Sequence, residues 1–251
     1  MGGKRGRNNL KISLSSSYED SELYFNEEME LGEVHPNITP KNDHQKEYNR
    51  VLYSMSKPMV FAVGPAGTGK TMLACYAAIS GYNDKSYKKI ILTRPVVSVE
   101  EDIGYLPGTL EEKMDPWTRP IMDVFGEFYS QNDIQYMIKE KIIEICPLAY
   151  MRGRTFKEAF IIADEMQNST PNQMKMLLTR IGEGSKMVIT GDPKQHDRKY
   201  ADNGLIDICT RLDGKRTKRI EYIKFDFKDI ERSPIVRDIL EIYGDSKASS
   251  P

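Results

Sequence analysis

The sequence has few of the features that mark membrane, secreted or metal-binding proteins. Its 251 residues include three cysteines, Cys75, Cys146 and Cys209, which stand far apart and form no C-x-x-C pair or Cys/His metal spacing. No apolar run approaches the ~18 residues that cross a bilayer, and none follows the basic start as in a secretory signal. We therefore expect a cytoplasmic protein with buried, reduced thiols and no membrane association.

The sequence also lacks an excess of charge of either sign. Its formal net charge is −1, so nothing global indicates nucleic-acid binding, and any such binding must use a local basic surface. The apolar fraction of 39% and the charged fraction of 29% are those of an ordinary globular protein. The length suits one core domain with a tail, or one large domain.

Composition divides the chain into a core and two terminal segments. Residues 1–36 combine a short basic head with a stretch, 18–34, that carries many acidic side chains and no basic one. Such a segment buries little, which predicts a flexible tail or an arm that lies on a partner. We expect the folded domain over residues 37–244 and a disordered tail over 245–251.

Alternating strands and helices are predicted within the core. Near-continuous apolar strands are predicted at 58–63, 89–93, 159–163, 186–190 and 220–225. Helices are predicted at 43–56, after residue 71, and at 120–129, 133–143, 171–182, 203–212 and 234–243. The stretch 98–120 is rich in glycine and proline and is predicted to be an elaborated loop with short helical pieces. This alternation predicts an α/β fold with a mostly parallel sheet covered by helices on both faces.

A glycine-rich segment, Gly64–Thr71, fits the phosphate-binding pattern G-x-x-x-x-G-K-[ST] at every fixed position. It lies between a predicted strand and a predicted helix, where backbone N–H groups and the helix dipole bind anions. Lys70 is expected on the β- and γ-phosphates and the Thr71 hydroxyl on Mg²⁺. The predicted nucleotide-binding residues of this loop are Gly64, Pro65, Ala66, Gly67, Thr68, Gly69, Lys70, Thr71 and Met72.

An acidic pair follows the apolar strand 159–163. Asp164 is placed at the carboxyl end of that strand, where α/β sheets bind ligands, and is expected to hold Mg²⁺ directly or through water. Glu165 can then act as the general base for a water in line with the γ-phosphate. A glutamate aimed at water favours hydrolysis over transfer to a substrate hydroxyl.

Two further polar residues follow predicted strands. Arg94 comes after strand 89–93, and Gln195 comes shortly after strand 186–190, where it could reach a γ-phosphate or the attacking water. Taken alone, each residue is better explained as an exposed loop residue. Convergence of several strand ends on one crevice favours the functional interpretation.

Long, ordered motifs extend over about residues 38–242. They are Pro40–Asn42 with Gln45, the phosphate loop, Thr93–Pro95, Leu106–Pro116, Pro147–Thr155, Asp164–Asn168, Leu178–Arg180 and Gly191–Asp192. Together these motifs resemble those of the PhoH-like (phosphate-starvation-inducible) ATPases. The resemblance implies a single RecA-like P-loop NTPase core, related to superfamily 1 helicases, that binds ATP and Mg²⁺. In such a core Gln45 reads the adenine, Thr93 and Arg94 lie near nucleic acid or phosphate, and Gln195 senses the γ-phosphate.

The resemblance also implies an arginine finger at Arg232, within a match at residues 229–234. An arginine beside a helix N-terminus is unfavourable unless an anion lies nearby, which supports this role over a surface salt bridge. Ser233 stands where the family commonly has His, and the loop after Gln195 departs from the family's more apolar run, which leaves the contacts of both segments open.

Together these features predict a Mg²⁺-dependent ATPase that acts on single-stranded RNA or DNA. One core binds ATP at one edge, so the arginine finger is expected from a neighbouring subunit. Repetition of this heterologous contact closes a ring, and the family resemblance implies a hexamer. The basic candidates for phosphate contacts are Arg119, Arg152, Arg154, Lys194, Arg198, Lys199 and Lys215–Arg219. The run Lys215–Arg219 is more simply a solvated loop, and Arg152 with Arg154 could equally serve a subunit interface. Tyr105, Trp117 and Tyr150 could stack on bases, although core or interface packing explains each more simply. Two alternatives stay open, a phosphotransferase and a nucleotide-gated assembly module with little turnover.

Overall fold

The computed structural model describes residues 36–95, 110–195, 203–215 and 217–231, with Gly32, Val34, Ile235, Val236, Ile239 and Ile242. For residues 110–117 it describes the backbone alone. The described residues form one six-stranded, all-parallel sheet in the order β3-β2-β4-β5-β1-β6. The strands are β1 (Met59–Val63), β2 (Lys89–Thr93), β3 (Ile143–Ile145), β4 (Ala159–Ala163), β5 (Lys186–Gly191) and β6 (Ile220–Lys224).

Helices cover both faces of this sheet, which confirms the predicted α/β class. They are α1 (Asp43–Leu52), α2 (Lys70–Asn83), α3 (Leu110–Gly126), α4 (Gln131–Lys139), α5 (Pro171–Leu178) and α6 (Gly204–Leu212). On one face, Phe61, Ile161 and Ile189 pack with Leu177 of α5 and Leu205 of α6. Strand side chains alternate between faces, so their neighbours in sequence point to the side of α1 and α2.

Local sequence explains where several helices begin. Asn42 caps α1 through its side chain, and Ser130 and Thr170 form capping boxes at α4 and α5. Helix α2 differs, because its N-cap is Gly69 in the left-handed conformation, with no side-chain hydrogen bond. The first N–H groups of α2 are therefore left without a side-chain cap at the phosphate loop.

The prediction of a loop with short helical pieces at 98–120 underestimates the helix in its last part, because α3 begins at Leu110 and continues through Pro116 and Pro120. Proline costs a helix one N–H donor and adds a steric clash. Burial of Ile121 and Phe125, with packing of α3 on α2, outweighs that cost. The remainder of this stretch, residues 98–109, lies outside the described residues.

Other differences concern the ends of elements. Helix α4 ends at Lys139, and residues 143–145 form the edge strand β3, which the sequence did not predict. Helices α1 and α5 each end about one turn earlier than expected. Of the terminal segments, Gly32, Val34 and Pro36 are the described positions in 1–36, and 245–251 lies outside the described part. Ile235, Val236, Ile239 and Ile242 are helical, in agreement with a helix near 234–243.

Candidate functional site

The loop between β1 and α2 has the tight backbone that the glycine pattern predicts. Gly67 and Gly69 have φ values of 83° and 81°, and Gly64 has a φ of 148°. A Cβ at position 64 would lie 2.4 Å from the carbonyl oxygen of Phe225, so a larger residue does not fit there. The Gly64 N–H also donates to the Gly191 carbonyl at 3.1 Å, which ties the loop to the end of β5.

Lys70 is folded onto this loop. Its side chain is almost fully buried, and Nζ donates to the carbonyls of Gly64 at 2.8 Å and Pro65 at 2.6 Å. Burial lowers the pKa of the ammonium, while the Asp192, Asp164 and Glu165 carboxylates act in the opposite direction. A cation held by backbone carbonyls above a cradle of N–H groups is suited to a polyphosphate anion.

Two hydroxyl groups converge on one oxygen of Asp164. Thr71 Oγ1 donates to Asp164 Oδ1 at 2.8 Å, and Thr190 Oγ1 donates to the same oxygen. Asp164 is 6% exposed and Thr190 is fully buried, so this cluster lies at the base of the cleft. A carboxylate and a hydroxyl are hard oxygen donors of the type that Mg²⁺ prefers, so these residues fit the predicted metal.

The neighbouring Glu165 has a left-handed backbone, with a φ of 53°. This conformation is uncommon for a residue with a Cβ and is found more often at functional sites. The side chain of Gln167 donates Nε2–H to Glu165 Oε2, and Arg94 Nη2 lies 3.9 Å from Glu165 Oε1. Both oxygens of the predicted base therefore have a neighbouring donor.

The predicted residues enclose one open cleft of about 270 Å³. Its walls come from the phosphate loop and the ends of β4 and β5, as expected for parallel strands that end at one edge of a sheet. The lining residues are Ala66, Gly67, Gly69, Lys70, Thr71, Met72, Asp164, Glu165, Gly191, Asp192 and Gln195. The structure therefore brings together Lys70, Glu165 and Gln195, three of the four predicted catalytic residues.

The other predicted residues are placed differently. Gln45 is 4% exposed and contacts the loop from α1: its Nε2 donates to the Thr68 carbonyl at 3.1 Å, and its Oε1 accepts from Lys41 N at 2.8 Å. It supports the loop and is outside the set that lines the cleft. Arg232 lies outside the described residues, but the preceding Glu231 donates its N–H to the Gly67 carbonyl at 2.9 Å.

Two buried polar residues of the site, Thr190 and Gln167, were given no role from the sequence. Thr190 is the one hydroxyl residue in an otherwise apolar stretch of β5, and that contrast was the available signal. Gln167 is 5% exposed, and its Oε1 accepts the Asp192 N–H at 3.2 Å while its amide nitrogen holds Glu165. No local sequence pattern predicts the hydrogen bond between Gln167 and Asp192, because these residues are 25 positions apart.

The candidate nucleic-acid contacts separate into distinct groups. Arg154 bonds to Glu144 and lies 4.5 Å from the Phe156 ring centroid, so it is committed to a contact within the chain. Arg152 and Tyr150 are exposed, in or beside the short turn Leu148–Met151 that follows β3. Of the basic run 215–219, the described residues Lys215, Lys218 and Arg219 precede β6 and therefore lie at the opposite edge of the sheet from the cleft. Arg198, Lys199 and Tyr105 lie outside the described residues, as does the side chain of Trp117.

A search for membrane spans over the described residues found no helix that is long and apolar enough to cross a bilayer.

Comparison with known proteins gives consistent family matches. A family model described as "PhoH-like protein" matches residues 37–244. A PhoH-like protein of Bacillus subtilis is 42% identical, over 93% of this chain and 72% of its own length. A PhoH-like protein of Mycobacterium tuberculosis is 43% identical and Protein PhoH of Escherichia coli is 38% identical, each over 82% of this chain. The chain spans 58% of the length of each of these last two relatives.

Among solved structures, the Pif1 helicase from Candida albicans is 17% identical. The alignment covers 85% of this chain and 46% of the helicase chain, with a TM-score of 0.41.

Proposed function

The chain belongs to the PhoH family, and from that membership and the geometry of the cleft we propose that it is a Mg²⁺-dependent ATPase. The observation that carries this proposal is the hydrogen bond from Thr71 to Asp164. It joins the phosphate loop to the acidic end of β4, with Lys70 and Glu165 lining the same cleft. Loop, hydroxyl, carboxylate and general base are the parts that P-loop NTP hydrolysis requires.

Each residue has a distinct part in this proposal. The N–H groups of the loop and the α2 N-terminus bind the phosphate oxygens, and Lys70 leaves the carbonyls of the loop to contact the β- and γ-phosphates. Thr71 and Asp164 would hold Mg²⁺. When bound, the metal neutralises charge on the phosphate oxygens.

Glu165 decides the reaction class within this proposal. Its carboxylate lines the cleft beside Asp164 and accepts a hydrogen bond from Gln167, so it can take a proton from a water molecule. Gln195 lines the same cleft and can orient that water or contact the γ-phosphate. A phosphotransferase is the alternative, and it requires a hydroxyl acceptor in place of water.

We further propose single-stranded RNA or DNA as the second substrate. Tyr150 is 62% exposed, which suits stacking on a base, and the exposed Arg152 beside it suits a phosphate contact. Both lie in the connection that follows β3, a strand whose carboxyl end is at the same edge of the sheet as the ATP cleft. Arg119 and Lys194 are further basic candidates, although Lys194 also lies 5.2 Å from the Phe227 ring centroid.

The proposed assembly is a homo-oligomeric ring, with a hexamer as its expected size. One RecA-like core presents one face of an ATP site, and an arginine from a neighbouring subunit would complete it. Arg232 is the proposed finger. Because Glu231 is bonded to Gly67 of its own chain, action of Arg232 within the same chain is the competing arrangement.

The test of the ATPase proposal compares ATP binding and turnover in two variants. Lys70→Ala should weaken ATP binding and abolish turnover, because it removes the cation of the loop. Glu165→Gln should retain ATP binding but hydrolyse ATP about 10²–10⁴-fold more slowly, the usual contribution of a general base. Wild-type turnover by Glu165→Gln would contradict the assignment of the base.

Turnover assays also separate the alternatives. Phosphate that appears on an added hydroxyl compound, and not as free phosphate, would establish a phosphotransferase. Tight ATP binding without turnover, with or without single strands at ~50 mM salt, would favour the assembly module.

A further inference from the structure

Gln167 forms a bridge between the two strand ends that form the cleft. On one side it donates Nε2–H to Glu165 Oε2, just beyond β4. On the other side its Oε1 accepts the backbone N–H of Asp192, just beyond β5, at 3.2 Å. The orientation of the amide is unambiguous, because a carboxylate accepts and a backbone N–H donates.

The surrounding structure holds this bridge in place. Gln167 is 5% exposed and lies in the short turn Met166–Asn168, so its side chain has little freedom to leave. Gly191 makes room for it, since a Cβ at position 191 would lie 2.6 Å from Gln167 Oε1 and 2.7 Å from Leu205 Cδ2. On the other side of the amide, Glu165 has a left-handed backbone, with a φ of 53°, a conformation that surrounding structure must hold in place.

We propose that Gln167 is a positioning residue that sets the orientation of the Glu165 carboxylate and couples it to the loop after β5. This inference rests on the ATPase function proposed above. Gln195, the expected γ-phosphate sensor, lies three residues after Asp192 and donates its N–H to the Asp192 carbonyl at 3.0 Å. A shift of this loop is therefore transmitted to the general base through one side chain, Gln167.

The coupling predicts a specific division between binding and turnover. Gln167 is outside the set of residues that line the cleft, so its replacement should leave the affinity for ATP unchanged. Without Gln167 the Glu165 carboxylate keeps, among the described residues, only the more distant Arg94, 3.9 Å away, so its orientation is less well fixed, and misplacement of a reacting group by about 1 Å costs about 100-fold in rate. Turnover should fall while binding stays constant.

The matched experiment compares Gln167→Glu with Gln173→Glu. A glutamate at 167 can still accept from Asp192 N–H, but as a carboxylate it cannot donate to Glu165 and it also repels that carboxylate, so Gln167→Met, which adds no charge, is measured beside it. Gln173 accepts the Thr170 N–H in the capping box of α5, which a glutamate also does, so the control makes the same chemical change without a loss. We expect Gln167→Glu to lower kcat about 10- to 100-fold, with KM and the Kd for ATP within about twofold of wild type, and Gln173→Glu to match wild type.

A double-mutant cycle identifies the residue through which Gln167 acts. In a Glu165→Gln background, Gln167→Glu should cause no further loss of single-turnover rate, because the base that it positions is already absent. Gln167→Met removes both bonds of the bridge without an added charge, so a similar fall of kcat in the two variants assigns the loss to the missing donor and not to repulsion. It also carries the comparison if Gln167→Glu does not fold, as judged by thermal unfolding.

The outcomes separate this inference from the ATPase proposal. Wild-type kcat in the Gln167 variants, a parallel loss of ATP affinity, or full additivity with Glu165→Gln would each overturn the positioning role while leaving the ATPase proposal standing. Absence of ATP hydrolysis by the wild-type protein would overturn both.

Discussion

Replacement of Thr190 by valine isolates one hydrogen bond at the base of the cleft. Valine has nearly the same shape as threonine, so the change removes the hydroxyl without opening a cavity. The hydroxyl is fully buried and donates to Asp164, and a hydrogen bond to a charged group contributes about 1.5–3 kcal/mol. Thr71 still donates to the same oxygen, so we expect a loss near the lower part of this range, about 2 kcal/mol.

Urea unfolding without nucleotide measures this loss, provided that fluorescence and circular dichroism give coincident transitions. Thr210→Val is the matched control, because Thr210 is exposed on α6 and its hydroxyl donates to the Ile206 carbonyl within the same helix. The control should change the free energy of unfolding by less than about 0.5 kcal/mol. A Thr190→Val protein within that same margin of wild type would refute the role of the hydroxyl in holding Asp164.

Three further predictions concern a buried lysine, the proposed nucleic-acid surface and the proposed subunit boundary. Lys186 is buried beneath the end of α1 and donates to three backbone carbonyls, and burial lowers its pKa to about 8. The unfolded state therefore binds more protons than the folded state between pH 8 and 10.5, so stability rises with pH in this range. Between pH 7 and 9, the free energy of unfolding of the wild type should rise by about 1 kcal/mol more than that of Lys186→Met. Arg152→Ala should weaken single-strand binding and make that binding less dependent on salt. Arg154→Ala loses the contact with Glu144 and should mainly lower thermal stability. Equal effects of the two variants on binding would contradict this separation. If the finger acts across a subunit boundary, Arg232→Ala subunits mixed with Lys70→Ala subunits should regain partial ATPase activity. No regain, although the subunits exchange, would favour action of Arg232 within one chain or concerted ATP hydrolysis by all subunits of the ring.

The centre of the site could be predicted because its parts are local in sequence. The phosphate loop occupies eight consecutive residues, and Asp164 and Glu165 directly follow a strand that is apolar at every position. Parallel strands end at one edge of a sheet, so the fold class alone placed the acidic pair beside the loop. The cleft that contains Lys70, Thr71, Asp164 and Glu165 agrees with this argument.

The prolines of α3 and the edge strand β3 are two places where local sequence patterns were a poor guide to secondary structure. Pro116 and Pro120 indicated a loop, but burial of the following turns keeps the helix continuous. Strand β3 has three residues, too few for an alternating pattern, and it forms because β2 offers hydrogen-bonding partners beside it. Both outcomes depend on tertiary contacts that outweigh local propensity.

The sequence by itself determined the fold class, the phosphate loop, the acidic strand end and the family, because each can be identified from adjacent residues or from hydrophobic periodicity. Only the tertiary structure decided which polar side chains support these groups. Thr190 reaches Asp164 across 26 positions, and Gln167 joins Glu165 to the end of β5. Such pairs arise from strand order and register, and a hydrogen bond between distant residues leaves no periodic trace in the chain.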